Sequence, residues 1–124
     1  MDAYAHRVAN HLLGNDIAAP TLEMTLQGAT LRFNCACTIA LAGADLGASV
    51  AGTDGKRELA NWSVHAIAAG ETLRFAGVRG AGVRAYLAFA GGVDVPEYLG
   101  SRATFTLGQF GGHGGRAVRA GDML

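Results

Sequence analysis

The residues best able to do chemistry gather in one stretch. Asp94, Ser101, Arg102 and Thr104 bring a carboxylate, a guanidinium and two hydroxyls close together in the chain. A guanidinium stabilises developing negative charge, a carboxylate takes or orients a proton, and hydroxyls hold a polar substrate. Gly91 and Gly92 stand just before them, and Gly111-Gly112 and Gly114-Gly115 flank His113 just after. Glycine lets backbone approach a ligand closely and supplies φ > 0 where other residues cannot. Asp45 is a second carboxylate of this kind, set between Gly43 and Gly47 at the end of an apolar run. The same residues also compose tight turns in which aspartate and serine accept from their own backbone. Residue types alone leave both possibilities open.

These loops need a scaffold, and the sequence describes one. Ala85-Tyr86-Leu87-Ala88-Phe89-Ala90 has the length and composition of a strand buried on both faces. It delivers the chain into Gly91-Gly92. Residues Asp2 to Leu13 predict the one helix, with Asp2 as N-cap and Gly14-Asn15 as its stop. Tyr4, Val8 and Leu12, with Ala5, Ala9 and Leu13 beside them, form its apolar stripe, leaving His6, Arg7 and Asn10 toward solvent. Alternation predicts strands at Leu22–Leu26, Leu31–Phe33, Ser49–Ala51, Trp62–Ala68 and Thr72–Phe75. Cys37–Ala42 reads as a strand apolar on both sides, and Ala117–Arg119 as a short final one. Gly52–Glu58 reads as a polar hairpin loop. The chain has 19 glycines in 124 residues, about twice the usual ~7%. Many turns between short strands point to a single mainly β domain over residues 1–124, an antiparallel barrel with one N-terminal helix.

Composition narrows the function. Ten basic and ten acidic residues cancel, so no basic stripe is available to neutralise nucleic-acid phosphates. No apolar run is long enough to span a bilayer, and the opening residues lack a basic segment followed by an apolar core. The expectation is a cytoplasmic protein that engages neither membrane nor nucleic acid. Cys35 and Cys37 are the only cysteines. One Cys-x-Cys without a second pair falls short of a structural zinc site; they read as small buried residues and no metal is expected. Gly80-Ala81-Gly82 precedes a strand rather than a helix, so it is no dinucleotide fingerprint. No Gly-Lys-Ser/Thr loop and no Gly-x-Ser-x-Gly elbow is present.

Several stretches together resemble a known family. They are Gly43-Ala44-Asp45-Leu46-Gly47, the block from Arg84 to Pro96, and Leu99-Gly100-Ser101-Arg102-Ala103-Thr104. The tail from Gly111 to Asp122 and the opening helix with Leu13-Gly14-Asn15 fit the same pattern. The chain is similar throughout to the family of biotin-dependent carboxyltransferases and C-type 5-oxoprolinase subunits, also called allophanate hydrolase subunit 2-like, of which it resembles the N-terminal half. The resemblance implies a cyclophilin-like β fold. It implies the C-type component of an ATP-dependent 5-oxoprolinase that opens 5-oxoproline to glutamate, working with B-type and A-type sister proteins. ATP would be used by the assembled complex. In that setting Arg102 and the loop N–H groups near Gly91 and Gly92 would stabilise negative charge. Asp45 or Asp94 would orient the lactam N–H or serve as base, and Ser101 and Thr104 would contact substrate. Two alternatives follow from the same resemblance: a biotin-dependent urea-type carboxyltransferase domain, and a non-enzymatic regulatory module pairing with a sister protein. Family members are longer, which predicts unpaired strand edges and exposed apolar side chains here, and hence self-association or dependence on a partner.

Overall fold

A computed structural model describes residues Met1–Leu124. The chain divides into two compact units, Met1–Gly92 and Val93–Leu124.

The first unit begins with helix α1, Ala3–Leu12. The Asp2 carboxylate accepts from the N–H groups of Tyr4 and Ala5 at 3.1 Å each, satisfying donors that have no partner inside the helix. At the other end Asn15 N–H bonds Asn10 C=O and Gly14 N–H bonds His11 C=O. Gly14 has φ +70. This is a Schellman stop, which needs a left-handed residue just past the helix.

Eight strands follow: β1 (Leu22–Thr25), β2 (Leu31–Arg32), β3 (Cys37–Gly43), β4 (Ala48–Gly52), β5 (Gly55–Glu58), β6 (Ser63–Ile67), β7 (Thr72–Phe75) and β8 (Arg84–Phe89). They make two four-stranded sheets, ordered β1-β8-β3-β6 and β2-β7-β4-β5, with every pairing antiparallel. The fold is mainly β with one N-terminal helix, as the sequence predicts. Its strands form two hydrogen-bonded halves around a shared core rather than one continuous ring.

The central strands explain the two apolar runs. Ile39 and Leu41 of β3 and Ala85 and Leu87 of β8 join the core shared with Val50 and Leu73 of the second sheet. Their alternate neighbours, Ala40, Ala42, Tyr86 and Ala88, face α1. Side chains on a strand point to opposite faces in turn, so a strand covered on both sides must be apolar throughout.

Four readings need correction. The buried face of α1 is Ala5, Ala9 and Asn10, whereas Tyr4 is 72% exposed. Small residues let the helix lie close on the alanines of the sheet, and Tyr4 is left to stack beside Trp62 at 6.1 Å. Asn10 is buried without penalty because its amide donates to Ala19 C=O (2.8 Å) and accepts from Asn15 (3.1 Å). Gly55–Glu58 is a strand, not part of a loop: Thr53 and Asp54 alone make the turn, and Gly52 pairs with Gly55. Its four residues are all exposed, so burial leaves no pattern in the sequence. Residues 117–119 form no strand, and Arg119 is instead drawn into a turn by Asp122. Cys35 is exposed and Cys37 half-buried, both as free thiols; burial pushes the Cys37 thiol up, with the neighbouring Cys35 adding to the shift.

Tyr86 ties helix to sheet. Its hydroxyl accepts from the Asp2 N–H and donates to Glu23 Oε2, both at 2.6 Å. Burial, then the bond to Glu23, pushes its phenol pKa up to about 12. Tyr86→Phe keeps the ring but strands the Asp2 N–H. We expect a loss of about 1–3 kcal/mol, read as a lower denaturation midpoint with an unchanged slope; an unchanged midpoint would show that the hydroxyl is dispensable.

The second unit has little regular structure. Its order comes from two isolated bridges, Tyr98↔Ser101 and Phe105↔Phe110, and from rings of Tyr98, Phe105 and Phe110 whose centroids lie 5.1 Å apart in successive pairs.

Candidate functional site

The Gly91-Gly92 turn leaves β8 with both residues at positive φ, +85 and +81. Gly92 N–H returns to Phe89 C=O at 2.8 Å. Asn15, just past the helix, clasps this turn: its amide donates to Phe89 C=O (2.8 Å) and accepts from Gly91 N–H (3.0 Å). One side chain thus fixes the path by which the buried strand opens into the loop. In the sequence Asn15 reads only as a helix stop; a polar residue placed after the stop is a signal that it is free to bond elsewhere.

Asp45 lies in the loop between β3 and β4. Its Oδ1 accepts from Gly47 N–H at 2.7 Å, and its carbonyl accepts from Arg79 N–H at 2.7 Å. That is a turn in which the aspartate bonds its own backbone. It borders a small cavity of about 10 Å³, space for a single water.

The other candidates lie in the second unit. Asp94, Ser101, Arg102 and Thr104 sit outside helix and strand, and all four are exposed. Ser101 Oγ accepts from Ala103 N–H at 3.1 Å, which sharpens the bend after the Tyr98–Ser101 bridge. Thr104 packs against Gly112 so closely that a Cβ on Gly112 would fall 1.9 Å from Thr104 Oγ1. The structure therefore brings Thr104 to the Gly111–Gly115 turn, while Arg102 stands in solvent.

That turn is the most constrained backbone in the unit. Gly111, Gly112, Gly114 and Gly115 have φ between +51 and +74. With Pro96, Glu97, Tyr98, Gln109 and Phe110 they frame an open cup of about 190 Å³. Gln109 itself is held at φ +56, a conformation uncommon outside glycine.

A charged clamp closes the turn from behind. Arg116 donates two parallel bonds to the Asp122 carboxylate, at 2.7 and 2.8 Å, the bidentate geometry that suits a guanidinium. Arg119 N–H adds a third bond at 2.7 Å, and His113 Nε2 lies 3.4 Å from Asp122 Oδ2. The Arg116 bonds, then the Arg119 N–H, hold the Asp122 carboxyl well below the usual range. His113 and Arg116, on either side of Gly114-Gly115, are thus fixed to one carboxylate. This clamp escapes sequence reading because its members follow no helical or strand spacing.

What the arrangement offers chemically is a guanidinium and a carboxylate, Arg102 and Asp94, in the same unit as a cup walled by glycine backbone and two aromatic rings. No group of three or more His, Cys, Asp or Glu side chains is placed to hold a metal ion, and no helix is long and apolar enough to cross a membrane.

The family model for the carboxyltransferase domain, subdomain A and B, matches residues 1–124. The chain is 44% identical over 124 residues to the urea amidolyase of Saccharomyces cerevisiae, a match that covers all of this chain and 6% of that protein. It is 39% identical over 124 residues to the C-type 5-oxoprolinase subunit of Escherichia coli, covering all of this chain and 38% of that one. The crystal structure of the K. lactis urea amidolyase superposes with a TM-score of 0.89 at 39% identity, over 98% of this chain and 7% of that chain. The chain thus spans only a minor part of these relatives. A match along its whole length, in sequence and in fold, places it in one family: the chain belongs to the carboxyltransferase domain family, subdomain A and B.

Proposed function

We propose that this chain is the C-type component of an ATP-dependent 5-oxoprolinase, acting with B-type and A-type sister proteins to open 5-oxoproline to glutamate. The observation that carries this reading is the match, along the whole chain, to the C-type 5-oxoprolinase subunit, the relative named above of which the chain fills the largest share. The reaction breaks a lactam C–N bond. Water adds to the lactam carbonyl as that bond breaks, and ATP, turned over by the assembled complex, would drive the opening. The chain's own part is to position the ring and to stabilise charge. Arg102, exposed and free to swing toward a substrate, is the cation for the developing oxyanion. Asp94, in the same unit, takes or orients the lactam proton. Ser101 and Thr104 hold polar atoms of the substrate. Asp45 and the N–H groups at Gly91 and Gly92 are further candidates of the first unit.

The higher identity to the urea amidolyase favours a second reading, a urea-type carboxyltransferase domain. Both substrates present an amide C=O and N–H to be held, but the first reading breaks a C–N bond at the carbonyl and the second forms one at a urea nitrogen. A coupled assay separates them. The chain with its B-type and A-type partners should form glutamate from 5-oxoproline only when ATP is present. Urea-dependent turnover with a biotin carboxylase and a biotinylated carrier, and none with 5-oxoproline, would replace the first reading with the second.

A further inference from the structure

We propose that Cys35 and Cys37 form a reversible modification site for small disulfides of the glutathione class, with Cys35 as the attacking thiol and Cys37 as the resolving one. The inference does not depend on which substrate the chain serves. Three observations carry it. Cys35 is exposed, in the bend that leads into β3, whereas Cys37, the first residue of β3, is half-buried beside Phe33 and Phe89. A small disulfide thus meets Cys35 first. One residue separates the two, and the charge of Cys35 acts on the Cys37 thiol, second only to burial in pushing it up. The thiols therefore stand close together. Finally, the pair touches the end of β8. The Cys37 thiol donates to Thr38 C=O at 3.5 Å, and that same carbonyl accepts from Ala90 N–H at 2.8 Å. Oxidation of Cys37 removes one of the two donors on this oxygen, next to the turn at Gly91.

The chemistry balances in two exchanges. The Cys35 thiolate attacks one sulfur of glutathione disulfide; a bond from Cys35 forms, the old S–S bond breaks, and one glutathione leaves with the proton that Cys35 lost. Cys37, once deprotonated, attacks Cys35 Sγ and expels the second glutathione. The protein loses two hydrogens and one glutathione disulfide becomes two thiols. Half-burial keeps Cys37 protonated, so the second exchange is the slower. A disulfide closed over a single residue is strained and readily reduced, which makes the mark reversible.

The test is incubation of the full chain with glutathione disulfide, followed by intact mass, peptide mapping and amide NMR. The native chain should pass through an adduct on Cys35 to a species lacking two hydrogens. The Ala90 and Gly91 amides should shift at that second stage, and dithiothreitol should restore them. Cys37→Ser should stop at the Cys35 adduct, and Cys37→Ala should do the same. Cys35→Ser, at an exposed position, should take up no glutathione in the time the native chain reacts. A native adduct that never resolves, equal rates in Cys35→Ser and Cys37→Ser, or a disulfide between two chains instead of within one would each overturn the proposal. So would oxidation that leaves Ala90 and Gly91 unmoved.

Discussion

Gly115→Ala should dismantle the Gly111–Gly115 turn, whereas Gly114→Ala, one residue away, should leave it standing. Both glycines are left-handed, at φ +68 and +62, so either alanine carries a conformational cost of about 1–2 kcal/mol. They differ in what a new Cβ would meet. At Gly114 there is nothing within 4 Å. At Gly115 the Cβ would fall 2.2 Å from the backbone C and O of Gln109 and 2.5 Å from Phe110 N. Backbone cannot rotate aside as a side chain can, and forcing it apart adds about 1–3 kcal/mol. Gln109 and Phe110 are also cup residues, and Phe110 is paired to Phe105. The expected total for Gly115→Ala is about 2–5 kcal/mol. The measurement is the amide spectrum of each variant. Large displacements of the Thr104–Arg116 resonances should appear in Gly115→Ala, with small local ones in Gly114→Ala. Equal spectra for the two would mean that the packing of Gly115 on Gln109 is not what sets the turn.

Positions decided by local physics were legible from sequence. Asp2 and Gly14 mark the helix because capping depends only on a few neighbouring backbone groups. The run from Ala85 to Phe89 announced a doubly covered strand because both faces had to be apolar. Positions decided by distant packing were not. Asn10 has the side chain of a solvated residue, and only the approach of α1 to the alanines of β3 and β8 buries it. Strand β5 carries Lys56, Arg57 and Glu58 at an exposed edge, where charge guards against stray pairing and erases alternation. The candidate site divides in the same way. That Asp94, Ser101, Arg102 and Thr104 sit in loops was evident from the glycines around them. That Arg116 and Asp122 form a bidentate clamp was not, since irregular backbone gives no period from which to infer neighbours. Leu99 and Leu107 are 84% and 90% exposed, and exposed single leucines are ordinary at a protein surface.

Arg102→Ala should abolish most activity of the assembled enzyme and barely change stability. The structural half of this follows from its surroundings. Arg102 is exposed, in a segment without helix or strand. The ion pairs of its unit are made by Arg116 and His113 with Asp122, not by Arg102. Truncating an exposed side chain of this kind shifts stability by about 0.5 kcal/mol or less. Ordering its long side chain against a substrate costs entropy that only a strong charge interaction offsets, and a developing oxyanion supplies one. The functional half follows from the proposed chemistry. Opening a lactam places negative charge on the carbonyl oxygen, and loss of one positioned donor to such an oxyanion lowers kcat by about 10²–10³-fold. Arg102→Lys keeps the charge but loses the planar fork, so it should recover only part of that loss. The comparison of midpoint and kcat decides the matter. A collapse of the denaturation midpoint in Arg102→Ala would make the residue a structural anchor and move the oxyanion site elsewhere. An unchanged midpoint with unchanged kcat would leave Arg102 without a part in the reaction.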